Sequence, residues 1–342
     1  MLQRQWYQAS PGWARLLSPL EWLYKRLAAA KRERDTALQW QSPVPLVVVG
    51  NIAVGGTGKS PLTVALIELL RRRGYHPGVV SRGYGAKGVD YPAFVTGDGE
   101  PLQCGDEPLM VVRRTEVPMV IDPDRSAACR HLLAHSNCDV IISDDGLQHY
   151  RMGRDLEIAV IDGARGLGNE RHLPVGPLRE GAERLQHVDY CVVNGASEQR
   201  YGCDVAMQLK PAYWCRVRDG KRYSLSEFLP RLGEEGRKVQ AFAGIGNPQR
   251  FFDTLHELGV QAQSHAFADH YRFSAQDLAP FADDIVLMTE KDAVKCGAFA
   301  TPHCYYLAVE ASLSGEFEQG FCQRIDQLTQ KKRESLDGQK VT

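Results

Sequence analysis

Residues 46–61, Leu-Val-Val-Val-Gly-Asn-Ile-Ala-Val-Gly-Gly-Thr-Gly-Lys-Ser-Pro, constrain this chain more than any other stretch. Four apolar residues read as a buried strand. A glycine-rich turn follows, and Lys59-Ser60 leads into a proline-started helix whose Leu62, Leu66, Leu69 and Leu70 run towards Gly74. Glycines let successive backbone N–H groups converge on phosphate oxygens, and the helix N-terminus adds partial positive charge. The expected nucleotide-binding segment is Ala53, Val54, Gly55, Gly56, Thr57, Gly58, Lys59 and Ser60. Lys59 would reach the β- and γ-phosphates of ATP, and the Ser60 hydroxyl would hold magnesium. Ala53 stands where such loops usually carry glycine, which is tolerable if its φ stays negative. A strand–helix turn without a ligand is the alternative, but strand, loop, Lys-Ser and helix all agree on phosphate binding.

Such a loop needs an acidic partner at the end of a neighbouring apolar strand. Val140–Ser143 followed by Asp144-Asp145-Gly146 supplies one. Adjacent residues leaving a strand point in different directions, so one carboxylate is expected to hold the metal while the other serves a different partner. A plain loop entry is the competing reading of the same pair.

Further apolar runs at 78–80, 119–121, 158–161 and 190–193 alternate with helical stretches. That rhythm predicts an α/β fold: a P-loop NTPase-like parallel sheet covered on both faces. A second, smaller α/β unit is expected from about residue 237. It has strands at 239–243, 261–266, 285–288 and 305–309, and a helix begun by Asn247-Pro248 that carries Phe251, Phe252, Leu255 and Leu258. The charged stretch 200–238, with its Pro and Gly, reads as including the connector, and the polar last dozen residues read as frayed. The expected division is residues 1–40, 41–236 and 237–330.

The first segment differs from the rest. Ser18-Pro19-Leu20-Glu21 reads as a capping box with proline at the first helical position, stapled by Leu17 and Trp22. Leu20, Leu23, Tyr24 and Leu27 share a face, Trp6, Tyr7, Trp13 and Leu16 lie upstream, and Lys25, Arg26, Lys31, Arg32 and Arg34 make the segment basic. Such a helix suits the headgroup region of an anionic membrane; a terminal helix packed on its own domain is the alternative.

Composition excludes more than it assigns. A formal net charge of −1 over 342 residues gives no reason to expect nucleic-acid binding. The nine cysteines form no C-x-x-C pair, so a zinc ribbon is unsupported and most read as small core hydrophobes. There is no apolar run of the ~20 residues that span a bilayer and no leader-like N-terminus, so the chain is expected on the cytoplasmic side.

The ordered set Gly50-Asn51 to Pro61, Ser81-Arg82-Gly83-Tyr84-Gly85, Gly105-Asp106-Glu107-Pro108 and Asp144-Asp145-Gly146-Leu147-Gln148-His149 resembles the tetraacyldisaccharide 4'-kinase family, the lipid A 4'-kinases of Gram-negative bacteria. Pro174 to Glu180, Asp269-His270-Tyr271 and Thr289-Glu290-Lys291-Asp292 continue the match across nearly the whole chain. The resemblance implies ATP, magnesium and phosphorylation of the 4'-hydroxyl of a tetraacyldisaccharide 1-phosphate. It also implies an active-site cleft between two α/β units and work at the inner face of the inner membrane; no obligatory protein partner is evident from the sequence. By the same resemblance Asp106 receives the acceptor proton, assisted by His270.

Other readings of these residues stay open. Asp106 could simply cap a helix, and Asp269-His270-Tyr271 could be a satisfied loop cluster. His149 is a candidate neighbour of the metal. Arg82, Arg179 and Glu180 are candidate ligands of phosphate or nearby charge, with surface salt bridges as the alternative. In Thr289-Glu290-Lys291-Asp292 the lysine comes one position late for a guanine-reading loop, so guanine specificity is not expected. Two rival functions remain: a P-loop ATPase or GTPase switch without a lipid acceptor, and a membrane adaptor using nucleotide only structurally.

Overall fold

Strand β1 (Leu46–Gly50) sends Val47 and Val49 into one core and Leu46 and Val48 into another, all four fully buried. Burial on both faces is why it reads as an unbroken apolar run instead of an alternating one. The structure, a computed structural model, describes residues 5–8, 11–197, 199–202, 204–232 and 236–340.

The strands that follow are β2 (Pro77–Ser81), β3 (Ala93–Phe94), β4 (Met119–Ile121), β5 (Val140–Asp144), β6 (Leu156–Asp162), β7 (Tyr190–Asn194), β8 (Asp204–Arg216) and β9 (Arg222–Ser224). Beyond them come β10 (Val239–Ala243), β11 (Gln263–Ala266), β12 (Ile285–Thr289) and β13 (Cys304–Leu313). They form one sheet in the order β11-β10-β12-β13-β8-β7-β6-β1-β5-β2-β4-β3, with β9 on β8. From β4 to β8 every pairing is parallel, as it is from β11 to β13; the two parallel halves are joined by the antiparallel pair β8 and β13.

One strand of that joint falls within the charged stretch 200–238, expected to include the connector. Thirteen of those residues form β8, the strand that carries the sheet from one half to the other. Its Lys210-Pro211 lowers strand propensity, and the register with β13 shifts there: Tyr213 pairs with Ala308 and Pro211 with Val309, leaving Ala212 extra. The second half has its own alternation. Ala241, Ala243 and Leu287 enter one core, and Phe242, Val286 and Met288 enter the other.

The helices that matter here are α1 (Ser18–Ala37), α2 (Lys59–Arg72), α3 (Asp106–Thr115), α4 (Arg125–His135), α5 (Pro248–Glu257), α6 (Glu290–Cys296) and α7 (Gly315–Lys340). Phe317, Phe321, Ile325 and Leu328 of α7 pack into the core around α2 and β1, so the chain returns to the first half after completing the second. Helix α2 begins at Lys59 itself, two residues before the expected proline start, with Gly58 as its N-cap.

Helix α1 is not opened by a capping box. A 3₁₀ turn (Gly12–Leu17) runs straight into it, Ser18 Oγ donates to the Arg15 carbonyl, and Leu17 is the N-cap. Glu21, 3% exposed, is spent elsewhere, pairing with Arg171 and accepting from the His172 amide at 2.9 Å. Trp6 is buried with its indole donating to the Pro174 carbonyl at 3.0 Å, so it does not join the outer face of the segment. Trp13, Leu16, Leu20, Trp22, Leu23 and Leu27 do stand exposed, Leu16 by 82%. The helix is thus pinned to the protein by polar contacts and turns its apolar residues outwards. Among the described residues no helix is long and apolar enough to cross a membrane. Eight cysteines are buried and free, in keeping with small core residues; Cys203 lies outside the described residues.

Candidate active site

Strand order reverses around β1, which lies between β5 and β6, so the loops leaving the ends of these three strands share one crevice. The loop after β1 is pinned on one flank: Val54 donates to the Pro177 carbonyl at 2.9 Å, and Arg179 donates to the Ile52 carbonyl at 2.7 Å. Ala53 pairs with Leu178 in that bridge and is not among the residues of positive φ, which is why alanine is accepted there. The Val54 amide is therefore occupied. Among the described residues, no group accepts from the amides of Gly55, Gly56, Thr57 or Gly58. Gly58 has φ of 99°, and a Cβ there would stand 2.5 Å from the Asn194 amide nitrogen, which itself donates to the Thr57 carbonyl.

The two aspartates part as expected of adjacent residues. Asp145, in the left-handed region at φ 50°, accepts from Arg179 Nη1 at 3.0 Å and lies 3.6 Å from Lys59 Nζ. Burial would raise its carboxyl, but Lys59 and Arg179 outweigh that and hold it down at about 2. Asp144, 1% exposed, turns to α2, where Thr63 Oγ1 donates to it at 3.5 Å. Burial first, and Glu107 second, push it up to about 7. The buried Asp144 carboxyl and the buried Ser60 hydroxyl are both hard oxygen donors of the kind a divalent cation such as magnesium takes, and a bound cation would favour the ionised form of Asp144. Such an ion commonly takes its remaining positions from water and phosphate, so the residues fit it. Among the described residues there is no cluster of three or more His, Cys, Asp or Glu that would hold a metal unaided.

The second half contributes the opposite wall. Gly246, after β10, comes so close to the phosphate loop that a Cβ on it would lie 2.9 Å from the Gly56 amide nitrogen. Asp106 is the first residue of α3, whose N-cap is Gly105, so the capping alternative for Asp106 does not describe the structure. Its Oδ2 lies 3.3 Å from His270 Nδ1, across 164 residues of chain. His270 holds φ at 58°, with its amide donating to the Gly244 carbonyl at 3.2 Å.

The remaining candidates fall in two groups. Arg179 grips Asp145 directly. Glu180 accepts from Gln148 at 2.8 Å and from the Tyr150 hydroxyl, one step back from the aspartates. Arg82 and His149 lie in the electrostatic field of Arg125. Burial, then Arg125, Lys31 and Arg82, hold the His149 imidazole down at about 3, hence neutral.

Several residues here were not singled out from the sequence. Arg125 is 2% exposed, donates to the Asp122 carbonyl at 2.8 Å, and leaves Nε without a partner beside the aspartates. Asp162 ends β6 as Asp144 ends β5. It accepts from Arg165 Nε at 3.1 Å, and Arg165 in turn donates to the Gly56 carbonyl. That repeat of a carboxylate at a strand end beside β1 was the available signal. The Thr289–Asp292 motif joins the halves instead of reading a base. Glu290 pairs with Arg114 at 2.8 Å and Lys291 with Glu107 at 2.9 Å, both across to α3, while Asp292 accepts from the Gly244 amide at 2.9 Å within the second half.

The family model described as LpxK, tetraacyldisaccharide-1-P 4'-kinase, matches residues 13–328. A tetraacyldisaccharide 4'-kinase of Pseudomonas fluorescens (strain Pf0-1) is 53% identical over 326 residues, covering 94% of this chain and 95% of that one. One from Stutzerimonas stutzeri (strain A1501) is 49% identical over 330 residues, covering 96% and 97%. The crystal structure of apo-form LpxK from Aquifex aeolicus in complex with ATP superposes with a TM-score of 0.75 at 26% identity, covering 92% of this chain and 99% of that one.

Proposed function

Because the chain belongs to the tetraacyldisaccharide-1-P 4'-kinase family, and so transfers phosphate from ATP to the 4'-hydroxyl of a lipid A precursor, we propose that the crevice between Gly56 and Gly246 is where transfer takes place. The matches do not favour a nucleotide switch without a lipid acceptor.

The division of labour follows from the geometry. The amides of Gly55 to Gly58 and the start of α2 cradle the phosphates, and Lys59 stabilises charge gathering on the transferred group. Ser60 and Asp144 would hold magnesium, which when bound would supply charge that neutralises the phosphate oxygens. Asp145, engaged by Lys59 and Arg179, keeps that lysine aimed along the loop. Asp106 takes the proton of the sugar hydroxyl as the new O–P bond forms. The γ-phosphorus to bridging-oxygen bond breaks, and ADP leaves with its electron pair. Residues 237–330 form the smaller unit that closes this crevice and bring His270 with them.

The observation carrying this reading is the 3.3 Å approach of His270 to Asp106, since neither a cap nor a loop cluster needs a partner from the opposite half. The outward apolar face of α1 supports attachment to the cytoplasmic face of the inner membrane, where an acceptor with four acyl chains resides. The test is labelled ATP with a tetraacyldisaccharide 1-phosphate in detergent. Label on the lipid with wild type and its near-absence with Lys59→Ala are expected; ATP consumption without labelled lipid would overturn the proposal.

A further inference from the structure

Lys291 is the hub of a cluster to which the transfer scheme gives no task. Its Nζ lies 2.9 Å from Glu107 Oε1, 3.3 Å from His270 Nε2 and 3.5 Å from Asp269 Oδ1. An ammonium has three protons and no lone pair, so each of the three partners must accept. Burial opposes the charge, but Glu107 and then Asp269 outweigh it and hold Lys291 protonated, above the usual lysine range.

His270 Nε2 must therefore present its lone pair, and the neutral ring carries its proton on Nδ1, the atom 3.3 Å from Asp106 Oδ2. The opposite tautomer would aim an N–H at the ammonium and set the Nδ1 lone pair against those of the carboxylate, replacing two attractions with two repulsions. A doubly protonated ring would also meet the ammonium, because Asp269 Oδ1, 3.9 Å from Nε2, is beyond hydrogen-bond reach. The groups facing the ring are thus Asp106 and Glu107 from α3, Asp269 from its own loop and Lys291 from α6. The Tyr84 ring lies at 5.1 Å.

We propose that Lys291 is a positioning residue that locks His270 as the Nδ1–H tautomer, so that His270 donates to Asp106 Oδ2 and leaves Oδ1 free for the acceptor's proton. This rests on the reading of Asp106 as the base. The lock is made within the second half, which carries both Lys291 and His270, and it is presented to Asp106 of α3 across the crevice.

The test uses full-length protein in detergent, labelled with ¹⁵N-histidine, with the His270 signals identified by their loss in His270→Gln. Wild type should show a protonated Nδ1 and a pyridine-like Nε2. Lys291→Arg, which also only donates, should keep that pattern. Lys291→Gln, whose amide oxygen can accept, should move the proton towards Nε2. The kcat of Lys291→Gln should fall roughly 10–100-fold, with KM for ATP within about twofold, and Lys291→Arg should recover most of the loss. A protonated Nε2 in wild type, or an unchanged tautomer in Lys291→Gln, would overturn the proposal. Should the variants not fold, the wild-type spectrum decides alone. The expected spectrum together with near-normal turnover of Asp106→Ala would remove the base assignment and leave the tautomer lock standing.

Discussion

Arg250, on helix α5 of the second half, places Nη2 3.2 Å from Oδ1 of Asp162, the carboxylate that ends β6 in the first. Asp162 is 2% exposed and also anchors Arg165, which donates to the Gly56 carbonyl, so a continuous chain of charge links the smaller unit to the phosphate loop. Arg250→Ala should weaken ATP binding about fivefold, or ~1 kcal/mol, because its guanidinium is partly open to water. Asp162→Ala should cost more, since it strands two arginines and two backbone amides. Calorimetric titration with a non-hydrolysable ATP analogue reads both; equal affinities would show the chain to be idle.

Asp106→Ala should lower turnover by roughly 10²–10⁴-fold, the scale of a lost general base. Its ATP affinity should stay close to wild type, because among the described residues no hydrogen bond or ion pair joins the Asp106 side chain to the phosphate loop. Single-turnover transfer and nucleotide binding, measured side by side, separate the two effects.

Replacing Leu16, Leu20, Leu23 and Leu27 together by serine should change folding stability by less than about 0.5 kcal/mol per site, as these side chains are exposed. Partition onto anionic vesicles should fall strongly. Deleting the helix is a poorer experiment, because it also removes Glu21 and Tyr24, which hold Arg171 and the Arg179 carbonyl. Undiminished vesicle binding by the serine variant would assign attachment to another surface.

Glu107 carries a pH signature. Lys291 holds its carboxyl down at about 2, from an ordinary 4.5. A depressed carboxylate contributes stability that is complete above its unfolded value and is lost as pH falls towards the folded one. Wild type should therefore lose more stability than Lys291→Met between about pH 5 and pH 3, by about 1 kcal/mol given partial exposure. Urea melts of both proteins at several pH values provide the measure, and parallel curves would deny the ion pair any part in stability.

The legible parts of the molecule were those where local pattern and tertiary role coincide. The four apolar residues of β1, the Lys59-Ser60 helix start and the paired aspartates after β5 each follow from residues within a few positions of one another. β8 was missed because a strand pinned between two half-sheets tolerates Lys210 and Pro211, which locally argue for a loop. The capping box at Ser18 had the right residue types, but Glu21 found a stronger partner 150 residues away in Arg171. The wall opposite the phosphate loop was hidden for the same reason. Lys291 and Glu107 are 184 residues apart, and Arg250 and Asp162 are 88 apart. Neither spacing leaves a mark on sequence periodicity.

The seating of α1 has a consequence for how the acceptor is presented. The Tyr24 hydroxyl donates to the carbonyl of Arg179, whose guanidinium grips Asp145, so one side chain separates the outward-facing helix from the carboxylates of the crevice. A sugar headgroup would need to rise only slightly from its lipid layer to be phosphorylated, with its acyl tails left in place. Turnover on mixed micelles should then follow the mole fraction of acceptor within the surface, and diluting that surface with inert lipid should slow the enzyme even at constant bulk concentration.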